Sequence, residues 1–267
     1  MKKKSAPKHL KVKAPEPVKK PDPPAHLGLY FIIIFVVLLI AAGFIAWDKF
    51  IVRDIEIEGI ENVNYLEVIH LSGIEYSSNI FTIDTDEVME NIEQNPVLKV
   101  TDIKKKLPST IIITIEERSP VAVIKSDDKY IVINHDLIAL SVQSEQTLAG
   151  NAEILGTAVT EYELGGQVTL EKEIHVKKLK ELLLAIEATG ISQLIKTIDI
   201  SFTENIKLYA NAGYDIQIGG TDNIENKCLW IKTMIPTLIE EEKQGGTLYI
   251  TNVNSAHYMG PDEAEND

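Results

Sequence analysis

The sequence predicts an α+β protein carried on a membrane anchor. A single transmembrane helix with its N-terminus inside leads into a small β-α-α-β-β unit. A strand-rich α+β domain with two longer helices follows. Three observations predict this. The 21 residues from Leu27 to Trp47 contain no charge. Between residues 50 and 118, β-branched runs enclose two short segments of helical period. Beyond residue 118, short strand-like runs separated by turn residues are interrupted by two helical stretches, at about 171–188 and from about 223 to 243.

The apolar stretch fixes the topology. At about 1.5 Å per residue it spans roughly 31 Å, close to the ~30 Å hydrocarbon thickness of a bilayer. Tyr30 and Trp47 stand near its ends, where amphipathic rings favour the membrane interface. Residues 1–26 hold eight lysines against Glu16 and Asp22, a net of +6. The whole chain carries −14, which leaves −20 for residues 27–267. Lysines crowd one flank only, so that flank is assigned to the cytoplasm and the bulk of the chain to the exterior, a type II single-pass arrangement in the cell membrane. The acidic exterior excludes nucleic acid as an expected partner, because phosphate binding needs a basic face. A cleaved signal peptide is the rival reading. Its apolar core is usually 7–15 residues long, and here no clear Ala-x-Ala site follows.

Residues 1–26 are rich in Lys and Pro and are expected to be disordered. Cys228 is the one cysteine, so no intramolecular disulfide can form and an ordinary core must stabilise the exported part. Cys228 itself reads as a small buried apolar residue on a helix.

The elements follow in order. Val52, Ile55 and Ile57 make a strand that Gly59 stops. Asn64 is placed to cap a helix through Leu71, ended by Gly73. A second helix opens at Thr82–Asp86 and runs to about Asn95, with Val88 and Ile92 on one face and Pro96 as its stop. Leu98–Lys106 and Ile111–Glu117 are strands around the turn Leu107–Thr110. Two helices on one face of a three-stranded sheet result. Next come strands at Val121–Ile124 and Tyr130–Ile133, and a short one at Ile138–Leu140. Ala149–Gly156 and Thr160–Gly166 read as loops. Leu179, Leu182, Leu183 and Ile186 form the stripe of the helix at 171–188, with Gly190 at its end. Thr197–Phe202, Ile206–Ala210 and Asp215–Ile218 read as strands. Asp222 or Asn223 caps a helix to about Lys243, whose stripe is Ile224, Cys228, Ile231, Ile235 and Leu238. A last strand, Leu248–Val253, precedes the acidic tail at 259–267.

Several of these residues carry a resemblance. They are Val52–Gly59, Gly73-Ile74, Asn79–Asp84, Asn95-Pro96-Val97, Lys104–Pro108 and the run Ile115-Glu116-Glu117-Arg118-Ser119-Pro120-Val121-Ala122. Together, directly after one helix with its N-terminus inside, they resemble a POTRA domain over 50–118 and the FtsQ/DivIB family of bacterial cell-division proteins. Ile216–Gly219, Lys227 and the late strand match the family's strand-rich part, here 119–258. Tyr249-Ile250-Thr251-Asn252 departs from its usual Ile-Asp-Leu type of late strand. The resemblance implies a septal scaffold without enzyme activity or cofactor. It implies partners of the FtsL and DivIC/FtsB types, themselves single-pass proteins, and association with the septal peptidoglycan synthase complex. On it, Tyr249, Thr251, Val253 and Tyr258 are expected to face a partner. The competing expectation is that Leu248, Ile250 and Val253 simply complete the core.

No catalytic pattern stands against this. There is no Gly-x-Ser-x-Gly elbow, no His-Glu-x-x-His and no phosphate-cradling glycine loop. The six histidines are scattered, and Asn134-His135-Asp136 reads as a polar turn rather than an acid/base or metal cluster. Asp84 and Asp86 read as helix-start carboxylates, and Lys104-Lys105-Lys106 as a solvated strand end. Two other functions compete: a POTRA-bearing secretion or membrane-assembly factor, for which a β-barrel has no room, and a membrane-anchored wall enzyme, for which the constellation is missing.

Overall fold

The computed structural model describes residues 27–143, 151–250, 252 and 254–261. The uncharged stretch forms one helix, α1 (Leu27–Ala46), followed by a single 3-10 turn at Trp47–Phe50. By length and composition this helix is able to cross a membrane. The side chains from Gly28 to Gly43 are all exposed, as those of a lipid-facing helix must be.

From Phe50 onward the chain builds two hydrophobic cores. The first contains β1 (Asp54–Glu58), α2 (Tyr65–Ser72), α3 (Thr85–Glu93), β2 (Leu98–Lys106) and β3 (Thr110–Glu117). The strand order is β1-β3-β2, with β1 parallel and β2 antiparallel to β3. Both helix starts are made as the sequence indicates. Asn64 Oδ1 accepts the Leu66 N–H at 2.8 Å, and Asp84 Oδ1 accepts the Asp86 N–H at 3.0 Å. Strand alternation puts Ile111, Ile113 and Ile115 on the face that meets Val68, Val88 and Ile92, and all six are buried. Each such aliphatic side chain contributes about 1.5–3 kcal/mol by leaving water.

The second core lies under a nine-stranded sheet. Its elements are β4 (Ala122–Ser126), β5 (Lys129–Ile133), β6 (Ala139–Gln143), β7 (Ala152–Leu155), β8 (Val159–Glu161), β9 (Thr169–Leu170), α4 (Glu173–Thr189), β10 (Ile195–Asp199), β11 (Ile206–Ala210), β12 (Asp215–Gly219), α5 (Ile224–Glu240), β13 (Thr247–Tyr249) and β14 (His257–Met259). The order is β14-β13-β12-β11-β10-β7-β4-β5-β6, with β8 and β9 paired apart. Helices α4 and α5 pack on each other and contribute Leu179, Leu182, Leu183 and Ile186, and Cys228, Ile231, Ile235 and Leu238, to this core. Burial, the main effect, pushes the Cys228 thiol up to about 12, so it stays protonated as an apolar filler.

The structure corrects four expectations. The stretch read as the loop Ala149–Gly156 contains β7, which pairs in parallel with both β4 and β10 at the centre of the sheet. Only Ala152 and Ile154 point inward, too short an alternation to stand out in the sequence. Thr160–Gly166 likewise overlaps β8. Helix α5 ends at Glu240 rather than near Lys243. The last strand ends at Tyr249 rather than Val253, and β14 follows it, running through Met259 and so past the expected start of the tail.

Candidate partner interface

The C-terminal edge of the large sheet is built by long-range contacts around two tyrosines. Tyr214 is buried, and its hydroxyl donates to the Lys243 carbonyl at 2.5 Å. The Tyr258 hydroxyl donates to the Gly245 carbonyl at 3.0 Å. The two rings meet edge-on at 6.4 Å, and Lys243 Nζ lies 5.3 Å from the Tyr258 ring centre. These contacts hold β14 down on the turn that enters β13. Gly246 makes the close approach possible. Its φ is +89°, and a Cβ there would stand 2.5 Å from the Met259 carbonyl oxygen.

The two strands pair antiparallel, Thr247 opposite Met259, Leu248 opposite Tyr258 and Tyr249 opposite His257. Between them, Asn252 Oδ1 accepts the N–H groups of Asn254 and Ser255 at 3.0 and 3.1 Å and closes the connection. Among the described residues no strand pairs with the outer side of β14. That strand is therefore an open sheet edge, able to take a further strand by main-chain hydrogen bonding. Beside it an open depression of about 670 Å³ is lined by Ala212, Tyr214, Ile239, Glu242, Lys243 and Gln244.

The residues expected to face a partner divide. Tyr249 is half-buried on β13, which is paired on both sides, with β12 and β14. Tyr258 lies on β14 opposite Leu248, so Tyr249 and Tyr258 point to opposite faces. Thr251 and Val253 lie outside the described residues. Leu248 and Ile250 are fully buried in the core. The edge itself is His257–Met259, of which the sequence reading singled out Tyr258 but not the strand. Three residues are too few for a period, and their strand exists only because Tyr214, Gly245 and Gly246 receive it.

The conspicuous run at the end of β3 also has a definite geometry. The Glu117 carboxylate accepts the backbone N–H groups of Glu61, Asn62 and Val63 at 2.8–3.0 Å, and the Asn62 side-chain amide at 3.1 Å. Burial alone would push this carboxyl up, but the N–H donors of Val63, Asn62 and Glu61 together hold it below the usual range. Arg118 Nη1 donates to the carbonyls of Pro96 and Leu98 at 2.9 and 3.1 Å. The pair thus clamps the two loops that flank α2 and α3.

The polar turn at Asn134–Asp136 is tied to α4: His135 Nδ1 lies 2.5 Å from Glu187 Oε2, and Asn134 Oδ1 accepts the N–H groups of Asp136 and Ile138. Lys227, near the start of α5, is fully buried and donates to the carbonyls of Ile218 and Gly220 and to Asp222 Oδ1 at 2.9–3.2 Å. It anchors the helix to the end of β12. Among the described residues no group of three His, Cys, Asp or Glu side chains is arranged to hold a metal ion.

Comparison with known proteins bears directly on this architecture. Residues 50–118 match the POTRA domain, FtsQ-type. The chain is 26% identical over 209 residues to cell division protein DivIB of Clostridium botulinum, covering 78% of this chain and 80% of the relative. It is 26% identical over 206 residues to cell division protein FtsQ of Corynebacterium glutamicum, covering 76% and 87%. It is 28% identical over 191 residues to cell division protein DivIB of Bacillus subtilis, covering 69% and 66%. The chain is thus similar over most of its length to the DivIB and FtsQ cell division proteins. Its POTRA match ends at Arg118, the residue that ties β3 back to the loop before β2. The alignments to the DivIB and FtsQ relatives, of 209 and 206 residues, are too long to fit within residues 1–118, so the likeness reaches into the strand-rich part.

Proposed function

We propose that this chain is a non-enzymatic, membrane-anchored scaffold of the bacterial division complex. Its N-terminus lies in the cytoplasm, and its two folded parts lie outside the membrane at the septum. There it gathers single-pass partners of the FtsL and DivIC/FtsB types and, through them, helps control septal peptidoglycan synthesis. The observation that carries this reading is the open edge of β14, held by Tyr214, Tyr258 and Gly246 in a position to accept a strand. The family's division proteins support the cellular setting, and the apolar helix supports the anchor. Partner-facing roles for Tyr249, Thr251, Val253 and Tyr258 remain part of this proposal, with His257 added as the exposed residue of the edge.

Crosslinking in living cells tests it. A photoreactive residue at His257 or Tyr249 should capture FtsL- or DivIC-type chains at mid-cell, and Gly246→Ala, which displaces β14, should reduce that capture. Capture of wall polymer alone, or diffuse envelope localisation throughout the division cycle, would overturn the scaffold.

A further inference from the structure

We infer that the end of the POTRA sheet where the chain enters is a lipid-binding surface, seated in the phospholipid headgroup layer of the outer leaflet. The inference rests on the membrane-anchored reading above and adds a second contact with the bilayer. Covalent connection sets the distance. Phe50 follows Ala46, the last residue of α1, by four positions, so chain length alone keeps it within about 14 Å of the helix end. The headgroup layer is itself only about 5–8 Å thick on each side.

Backbone pairing then fixes what surrounds Phe50. The Ile80 N–H donates to the Phe50 carbonyl at 2.8 Å, Ile51 bridges Asn79, and the Val52 N–H donates to the Ser78 carbonyl at 2.9 Å. The Arg53 N–H donates to the Ser109 carbonyl at 2.9 Å, which brings in the turn between β2 and β3. Lys105 Nζ reaches the Ile83 carbonyl at 2.6 Å and joins that turn to the loop after Asn79. Three segments therefore meet at one end of the sheet, the end at which the membrane segment delivers the chain.

Two large apolar side chains project there without cover. Phe81 is 56% exposed, with its ring 5.0 Å from that of Phe50, and Leu107 is 55% exposed at the turn. Lys104, Lys105 and Lys106 lead directly into Leu107, and Arg53 follows Phe50 by three positions. Lys104 pairs with Asp102 at 2.6 Å and Lys106 with Glu56 at 3.5 Å, in each case between solvent-accessible side chains. The exported chain is strongly acidic, and Lys104-Lys105-Lys106 is the only run of three cations in residues 27–267. Exposed apolar tips together with long, solvent-accessible cationic side chains match the headgroup layer, where rings and aliphatic groups lie at the acyl boundary and ammonium groups reach phosphate. The chain's own covalent connection keeps the bilayer within this reach whatever else is bound.

The full chain, reconstituted in nanodiscs of phosphatidylglycerol and phosphatidylethanolamine, tests this. A nitroxide is placed at Leu107→Cys, and in a second chain at Phe202→Cys, a site 74% exposed on the other folded part. Native Cys228 is fully buried and does not compete for the label. The ratio of accessibility to oxygen over a water-soluble nickel chelate should be several-fold higher at 107 than at 202. Adding Phe81→Ser should bring it down toward the control. A ratio at 107 equal to that at 202 in incorporated chains overturns the proposal, and so does shielding of the label from both reagents, which would mark a protein occupant. Failure of the chain to enter nanodiscs would overturn the anchor reading, and this inference with it.

Discussion

Glu117 is one carboxylate that satisfies three backbone donors and a side-chain amide. Charge-assisted bonds of this kind are stronger than neutral ones, and a glutamine in the same place would turn an amide donor toward N–H groups. Glu117→Gln should destabilise the fold by about 2 kcal/mol at neutral pH. The folded carboxyl lies below its ordinary value, so its contribution is fully present above about pH 4.3, the unfolded value. It is lost as pH falls through the lower folded value. Chemical denaturation of the wild type and the variant at several pH values should therefore show a constant gap at neutral pH that closes on acidification. A pH-independent gap would contradict the assignment. The sequence showed Glu117 only as part of a family-like run. Its partners lie some 55 positions away and are brought near only when β1 and β3 pair. Asn64 and Asp84, by contrast, bind groups two positions ahead, and their roles were readable directly.

At the scale of elements, what could be read was what is local. The helices announce themselves by their stripes and stops, β3 by its run of β-branched residues, and β11 and β12 by alternation bounded by turns. Strand β7 gave no such signal, although it is central to the sheet, because its stability comes from β4 and β10 on either side. Its exit is correspondingly tight. Gly156 has φ +83°, and a Cβ there would lie 2.3 Å from the Ser201 backbone nitrogen. Gly156→Ala should cost about 1–3 kcal/mol, visible as a lower melting temperature of the strand-rich part, whereas an alanine at exposed Gly213, where a Cβ meets nothing, should cost less. Equal losses at both sites would mean that β7 does not end against residue 201. The sheet runs one strand beyond the last one read from the sequence, for the same reason. Leu248–Val253 has the composition of a strand, but β14 pairs along Thr247–Tyr249, held there by side-chain contacts to other segments.

For the whole molecule, the proposed anchor makes the length of its connector the quantity to test. The connector between α1 and the first folded residue is a single 3-10 turn, Trp47–Phe50. Twenty Gly/Ser residues inserted after Lys49 would add a coil of roughly 25 Å end to end. Cells dependent on such a chain should become longer, with fewer septa per unit length, at unchanged protein level. Normal cell length would show that spacing is immaterial. The order of the strands has a further consequence for biogenesis. In both sheets the pairing that completes the structure comes late in the chain: β1 waits for β3, and β13 becomes an interior strand only when β14 arrives. A chain halted during synthesis before His257 would display β13, a different strand, at its edge. The outermost surface of the large sheet is thus a record of arrival, presented only by molecules whose synthesis has passed Met259.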